Sequence, residues 1–111
     1  MTIREIAAAL SLTVLCAESG LDREIDGGYA SDMLSCVMAG AKKGNVWITL
    51  LTHLNVIAVA VLLEIPAIVI SENSPVDESV LKKAEDEGIT LLRTPEDTYT
   101  VVGKLYALGI R

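Results

Sequence analysis

The sequence of 111 residues contains no phenylalanine, and aromatic residues make up only 4% of it. Hydrophobic residues nevertheless account for 51%, so the core must be built from isoleucine, leucine, valine, alanine and methionine. This aliphatic composition is typical of a parallel sheet whose strands are covered by helices on both faces. The length suits one domain with a core that needs no disulfide or metal, and we expect residues 1–111 to form a single domain.

Cysteine and histidine are scarce. The chain has two cysteines, Cys16 and Cys36, and one histidine, His53. A structural zinc ion needs four nitrogen or sulfur ligands, so we predict no metal site. The cysteines stand apart without a CxxC motif, which predicts reduced thiols buried as small hydrophobic side chains. No Ser–His–Asp or Cys–His set can be assigned, so we expect no catalytic residue, no enzyme activity and no cofactor.

Basic residues are outnumbered, with nine lysines and arginines against fifteen aspartates and glutamates and a net charge of −6. The longest basic run, Lys42-Lys43, is too short to follow a phosphate backbone, which excludes nucleic acid as a partner. The first residues carry a charged helix start instead of the apolar segment of a signal peptide. We therefore expect a cytoplasmic protein.

The apolar stretch from Ile48 to Ile70 has the length of a membrane span. It contains His53, Asn55, Glu64 and Pro66, and ionisable groups at bilayer depth are costly. We therefore interpret the stretch as a strand, a helix and a second strand, and we expect no contact with a membrane.

Hydrophobic periodicity predicts strands that alternate with helices. Strands are expected at residues 12–15, 29–30, 46–50, 67–70 and 89–92. Helix starts are marked by cap residues, namely Thr2 with Glu5, Ser31 or Asp32, Asn55, Asp77 or Ser79, and Thr94 with Asp97. The helix over 56–63 is apolar almost all round, so we expect it to be nearly fully buried. This order predicts an α/β protein, a three-layer α/β/α sandwich with a mostly parallel sheet.

Ligands of such sheets bind beyond the carboxyl ends of the strands. His53 follows one of these strands, and Thr49, Thr52 and Asn55 surround it with hydrogen-bonding groups. We predict these four residues as a binding site for a small anionic ligand, because the helix that begins at Asn55 offers free N–H groups. The alternative is that His53 only bonds a neighbouring backbone group or caps the following helix.

Several runs of the sequence resemble the DRTGG domain family. They are GYASDMLS at 28–35, VWITLLTH at 46–53, NVIAVA at 55–60, and the tail from Pro75 to Gly109. The resemblance implies a three-layer α/β domain similar to the N-terminal domain of HPr kinase, often at a dimer interface and regulatory in role. Such domains accompany CBS-domain pyrophosphatases, phosphotransacetylases and cobyrinic-acid-synthase-like proteins, and they also occur alone.

The string that names this family is interrupted here, because Glu24-Ile25-Asp26 separates Asp22-Arg23 from Gly27-Gly28. The phosphate loop of the kinase is also absent, so the resemblance implies no kinase activity. We expect a non-catalytic regulatory or ligand-sensing domain, a homodimer, whose ligand is a small metabolite or nucleotide. The alternative is an interaction subunit that docks to a larger enzyme complex without a small ligand, which the apolar excess of so small a domain favours.

Overall fold

Strands and helices alternate along the chain in the computed structural model, which describes residues 1–111. The strands are β1 (Thr13–Cys16), β2 (Gly28–Ala30), β3 (Val46–Thr49), β4 (Ala67–Ile70) and β5 (Thr90–Arg93). The helices are α1 (Ile3–Leu10), α2 (Leu34–Gly40), α3 (Leu54–Leu63), α4 (Glu78–Glu87) and α5 (Thr98–Ala107). A short 3-10 helix, Glu18–Gly20, follows β1.

The five strands form one sheet in the order β1-β5-β4-β3-β2. The neighbours from β2 to β5 are parallel, and β1 pairs antiparallel with β5 at the edge. Trp47 in β3 lies opposite Tyr29 in β2 and Ile68 in β4. The predicted mostly parallel sheet is confirmed.

Helices cover both faces of the sheet, which confirms the three-layer α/β/α sandwich. Within β4, Ala67 and Val69 pack in one apolar cluster with residues of α1 and α5. The alternate residues Ile68 and Ile70 pack in a second cluster with residues of α2, α3 and α4. The alternation follows from the pleat of the strand, which turns successive side chains to opposite faces.

The three helices that connect β2, β3, β4 and β5 all belong to the same layer. A ligand crevice in an open parallel sheet forms where connections from adjacent strands leave toward opposite faces. Among the three pairs of parallel neighbours, only β4 and β5 meet this condition, because α4 follows β4 into one layer and α5 follows β5 into the other. The helices that follow β3 and β4 share a layer, so a ligand site at the carboxyl ends of these two strands is a groove between helix starts.

The stretch from Ile48 to Ile70 contains the end of β3, helix α3 and strand β4, as predicted. No helix is both long enough and apolar enough to cross a bilayer.

The predicted start of the last helix at Thr94 is wrong. Thr94 still belongs to the sheet, because its N–H donates to the carbonyl of Ile70 at 3.0 Å. Its hydroxyl accepts from the N–H of Glu96 and closes a local turn. The helix is capped by Asp97, whose carboxylate accepts from the N–H of Thr100 at 2.7 Å. This bond lowers the pKa of Asp97.

The predicted caps of α2 are also wrong, because the cap position is Met33 and no side chain caps the helix. The Ser31 hydroxyl accepts from the N–H of Met33 at 3.1 Å, one turn before the helix begins. The Asp32 carboxylate points away from α2 and bonds the end of β3. The first helix, by contrast, has the predicted capping box between Thr2 and Glu5.

Helix α3 is less buried than its composition predicts. Val56, Ile57, Val59 and Ala60 pack against the sheet and neighbouring helices. The opposite side is exposed and contains the polar Asn55 and four apolar residues, namely Leu54, Ala58, Val61 and Leu62. The helix lies in the outer layer with α2 and α4 beside it, so the rest of the chain leaves its outward side uncovered.

The two cysteines differ in environment, and only one prediction of burial is correct. Cys16 is buried, and this burial raises the pKa of its thiol. Cys36 is exposed on α2, because that helix packs inward through the adjacent Val37. Both thiols are free.

Replacing Trp47 with phenylalanine is expected to destabilise the fold. Trp47 is fully buried, and its indole N–H donates to the carbonyl of Ser31 at 3.0 Å, which fixes the connection from β2 to α2. Loss of this bond and of packing volume predicts a free energy of unfolding lower by about 2–3 kcal/mol. Urea denaturation followed by circular dichroism measures it. Tyr99→Phe on α5, where the ring is 88% exposed, is the control and is expected to change little.

Thiol titration of the native protein is expected to modify Cys36 and to spare Cys16. Burial and the raised pKa both keep the Cys16 thiol from reacting as a thiolate. A chromogenic disulfide reagent is therefore predicted to detect at most one thiol in buffer and both in urea. In the Cys36→Ser variant the native signal is expected to vanish. A rapidly reacting thiol in that variant would contradict the assignment of Cys16 to the core.

Candidate ligand-binding groove at the carboxyl edge of the sheet

The four residues predicted as a ligand site occupy three different environments. Thr49 ends β3 and is fully buried, and Thr52 is half-buried in the following loop. His53 and Asn55 are exposed at the start of α3. The helix begins at Leu54 with His53 at the cap position, two residues before Asn55, so the prediction of Asn55 as the cap is wrong.

The Thr49 hydroxyl is fully engaged within the chain. It donates to Oδ1 of Asp32 at 2.8 Å and accepts from the N–H of Leu51 at 3.1 Å. The same Asp32 oxygen accepts from the N–H of Leu50 at 2.7 Å. Thr49 therefore shapes the loop that carries His53 and presents no free polar group to a ligand.

Asp32, predicted as a helix cap, is instead a positioning residue. Its carboxylate joins the loop after β2 to the loop after β3, and these two parallel strands are neighbours. Parallel neighbours bring their carboxyl ends to one edge, so strand order was the signal that could have identified this contact.

The other strand ends are also tied together. The N–H of Glu72 donates to the carbonyl of Glu96 at 2.8 Å, and the N–H of Asn73 donates to that of Thr94 at 2.9 Å. Both donors have a φ of 55°, in the left-handed region that is rare for residues other than glycine. The two hydrogen bonds hold this conformation, and they join the loop after β4 to the loop after β5.

An open groove of about 490 Å³ lies between the starts of α3 and α4. One wall contains His53, Leu54 and Asn55, and the other contains Asp77, Ser79 and Val80. The sequence predicts Asp77 and Ser79 only as alternative caps of α4. They reach the groove because α3 and α4 follow neighbouring strands and begin at the same edge.

The groove offers hydrogen-bond donors from the backbone. Neither His53 nor Asp77 caps its helix with a side-chain bond. The first N–H groups of a helix have no intrahelical partner, and they carry a partial positive charge. Two helix starts thus face one groove, with the imidazole of His53 and the hydroxyl of Ser79 beside them. The Asp77 carboxylate adds an acceptor suited to a ligand hydroxyl or amine.

The chain contains no group of three or more histidine, cysteine, aspartate or glutamate side chains arranged to hold a metal ion.

A second polar cleft, of about 480 Å³, lies at the opposite edge of the sheet near Gly27, Lys42 and Lys43. Its Asn45 amide is occupied, since it donates to the carbonyl of Asp26 and accepts from the N–H of Lys42. The second cleft thus offers lysine side chains, whereas the groove between α3 and α4 offers two helix starts with His53 and Ser79 beside them.

Residues 5–108 match the DRTGG domain family. The fold is similar to a crystal structure of the CBS and DRTGG domains of the regulatory region of Clostridium perfringens pyrophosphatase, complexed with the activator diadenosine tetraphosphate. The TM-score is 0.72 at 15% sequence identity. The similarity covers 94% of this chain and 45% of that one, so this chain spans less than half of its length. None of the curated proteins matches this chain.

Replacing Asp32 with alanine is expected to destabilise the loop that carries His53. The change leaves the buried Thr49 hydroxyl without its acceptor, at a cost of about 1–3 kcal/mol in free energy of unfolding. Asp32→Asn keeps one acceptor oxygen and is expected to lose less than half as much. Urea denaturation compares the two, with the exposed Asp86→Ala as control. Equal losses for the alanine and asparagine variants would show that charge, and not the acceptor, matters at this position.

Proposed function

This chain belongs to the DRTGG domain family, and from this membership we propose that it is a non-catalytic regulatory domain that binds a small anionic metabolite or nucleotide. We further propose that it acts as one domain, as a homodimer, in the cytoplasm. Its two free cysteines agree with a reducing compartment. The pyrophosphatase region with a similar fold is regulatory and was crystallised with a nucleotide activator, which supports a nucleotide as the first ligand to test.

The observation that carries the proposal is the convergence of two uncapped helix starts on one groove. Helix N-termini bind phosphates and carboxylates through free N–H groups and the helix dipole. His53, Asn55 and Ser79 add donors at the same place. We propose that the anionic group of the ligand lies between α3 and α4 and that Thr49 and Thr52 support the loop from behind.

The proposed ligand also carries a hydroxyl group that can donate to Asp77. The Asp77 carboxylate would repel a ligand that carries only negative charge. A nucleotide or sugar phosphate presents hydroxyl groups beside its phosphate, and a hydroxyl can donate to Asp77 while the phosphate accepts from the helix starts. Inorganic phosphate has no hydroxyl group outside the phosphate itself that could donate to Asp77 while the phosphate occupies the helix starts, and it should bind more weakly.

The second candidate is an interaction subunit that binds a larger enzyme complex without a small ligand. The exposed apolar side of α3 is the observation that favours it. This candidate predicts that no small molecule stabilises the chain, whereas the ligand-sensing function requires one to do so.

Thermal denaturation in the presence of diadenosine tetraphosphate, ATP, AMP and inorganic phosphate tests the ligand-sensing function. A ligand at about 100 times its dissociation constant adds about 2.7 kcal/mol to the free energy of unfolding. For a chain of this size we expect a rise in Tm on the order of 10 °C. His53→Ala and Ser79→Ala are each expected to weaken the affinity about 5–10-fold by loss of one hydrogen bond.

The matched control is Ser19→Ala, because Ser19 is an exposed serine outside the groove. All three variants are expected to keep the unliganded Tm, since none of the side chains is buried. Full binding by both groove variants would place the ligand elsewhere. A panel without any stabilising compound would favour the second candidate function.

A further inference from the structure

The outward side of α3 is an apolar stripe. Leu54, Ala58, Val61 and Leu62 are exposed, and Leu62 leaves 66% of its surface open. Residues spaced by three and four positions lie on one side of a helix, so the four form a continuous line. Contiguous exposed apolar surface of this kind marks an interaction site.

Helix α2 lies beside α3 in the same layer, and further exposed apolar side chains occur on it and at its start. Met33 and Met38 are both exposed, and α2 packs against α3. We call the surface of these six residues the uncharged face, and its members are Met33, Met38, Leu54, Ala58, Val61 and Leu62. A standard interface buries about 800 Å² of each partner, more than one short helix provides, so both helices are needed.

The charge distribution favours a second copy of the same chain as the partner. Residues 33–41 and 44–63 contain no aspartate, glutamate, lysine or arginine, although the chain carries a net charge of −6. Two copies of a negative chain repel each other, and the repulsion is smallest where neither presents charge. Charged residues begin on the neighbouring α4, where the Lys83–Glu87 ion pair borders a shallow groove beside Ala58 and Leu62. A charged border around an apolar centre is the usual anatomy of an interface.

The two leucines of the stripe are symmetric about its smallest residue. Leu54 and Leu62 each lie four positions from Ala58, in opposite directions. A two-fold axis at Ala58 would pair two α3 helices antiparallel and set Leu54 of one copy against Leu62 of the other. Alanine at the crossing lets helix axes approach to the close end of the usual 8–10 Å range. Two-fold interfaces use the same patch on both subunits, and this stripe meets that requirement.

We propose that the uncharged face binds a second copy of this chain, through an antiparallel contact of α3 with α3 centred at Ala58. The inference rests on the homodimer proposed above and assigns its surface. Leu54 also lines the ligand groove, so the groove opens at the border of this contact.

Light scattering of the full chain at about 50 µM, well above the dissociation constant of a standard interface, tests the surface. The unmodified protein is expected to be a dimer. Leu62→Glu and Leu54→Lys each place a charge in the apolar contact twice per dimer, and each is expected to raise the dissociation constant at least about 100-fold. Tyr99→Glu on α5 introduces the same negative charge as Leu62→Glu, but on the opposite helical layer, and should leave the dimer intact. Circular dichroism checks that each variant is folded, which the exposure of all three positions favours.

Mixing the two monomeric variants tests the antiparallel register. The new ammonium group at position 54 of one chain then faces the new carboxylate at position 62 of the other, and the mixture is expected to recover dimers. A mixture that stays monomeric would overturn the antiparallel register.

Two further outcomes would contradict the assignment of the uncharged face as the contact surface. A Leu62→Glu protein that remains as dimeric as the unmodified chain would show that the dimer uses another face, with the dimeric state itself intact. A monomeric unmodified chain would refute both the surface and the homodimer. Neither result tests the proposed ligand groove, because the thermal assay with His53→Ala and Ser79→Ala reports on the groove independently.

Discussion

The burial of β3 and β4 on both faces is the constraint on which the rest of the structure depends. Every residue of these two strands is buried, so helices must cover the sheet on each side. The parallel connections place α2, α3 and α4 in one layer, and α3 lies between the other two. This single arrangement brings the starts of α3 and α4 to the same edge. It also leaves the outward side of α3 with no partner inside the chain.

The layers and most strands could be predicted from the sequence, because a short aliphatic run such as 67–70 is typical of a buried strand in a chain of this length. The helix caps could not all be predicted. Serine, threonine and aspartate are all competent caps, and their choice depends on tertiary contacts. Asp32 is bound by the end of β3, and Thr94 is held in the sheet by Ile70. Neither contact is local, so no cap rule could have excluded these residues.

Only part of the candidate site could be predicted, because the rest depends on contacts between segments that are distant in the sequence. Their position after a buried strand was enough to predict His53 and Asn55 as site residues, and both line the groove. Thr49 and His53 are near in sequence, but the strand directs Thr49 inward and the loop directs His53 outward. Asp77 and Ser79 come from a distant segment, and only the adjacency of β3 and β4 brings them to the same groove.

The uncharged face shows why the composition of α3 was misleading. An apolar helix must be buried, but the sequence does not say whether the covering surface belongs to the same molecule. Within this chain the cover is absent on the outward side, and Leu54 belongs both to that side and to the groove. A ligand that contacts Leu54 or the first turn of α3 would therefore act on the same element as a second chain. Linkage is reciprocal, so any factor by which dimerisation changes ligand affinity is the factor by which the ligand changes dimerisation. In the proposed regulatory function, α3 would be the element that converts ligand binding into a change of assembly, because Leu54 belongs to both the groove and the uncharged face.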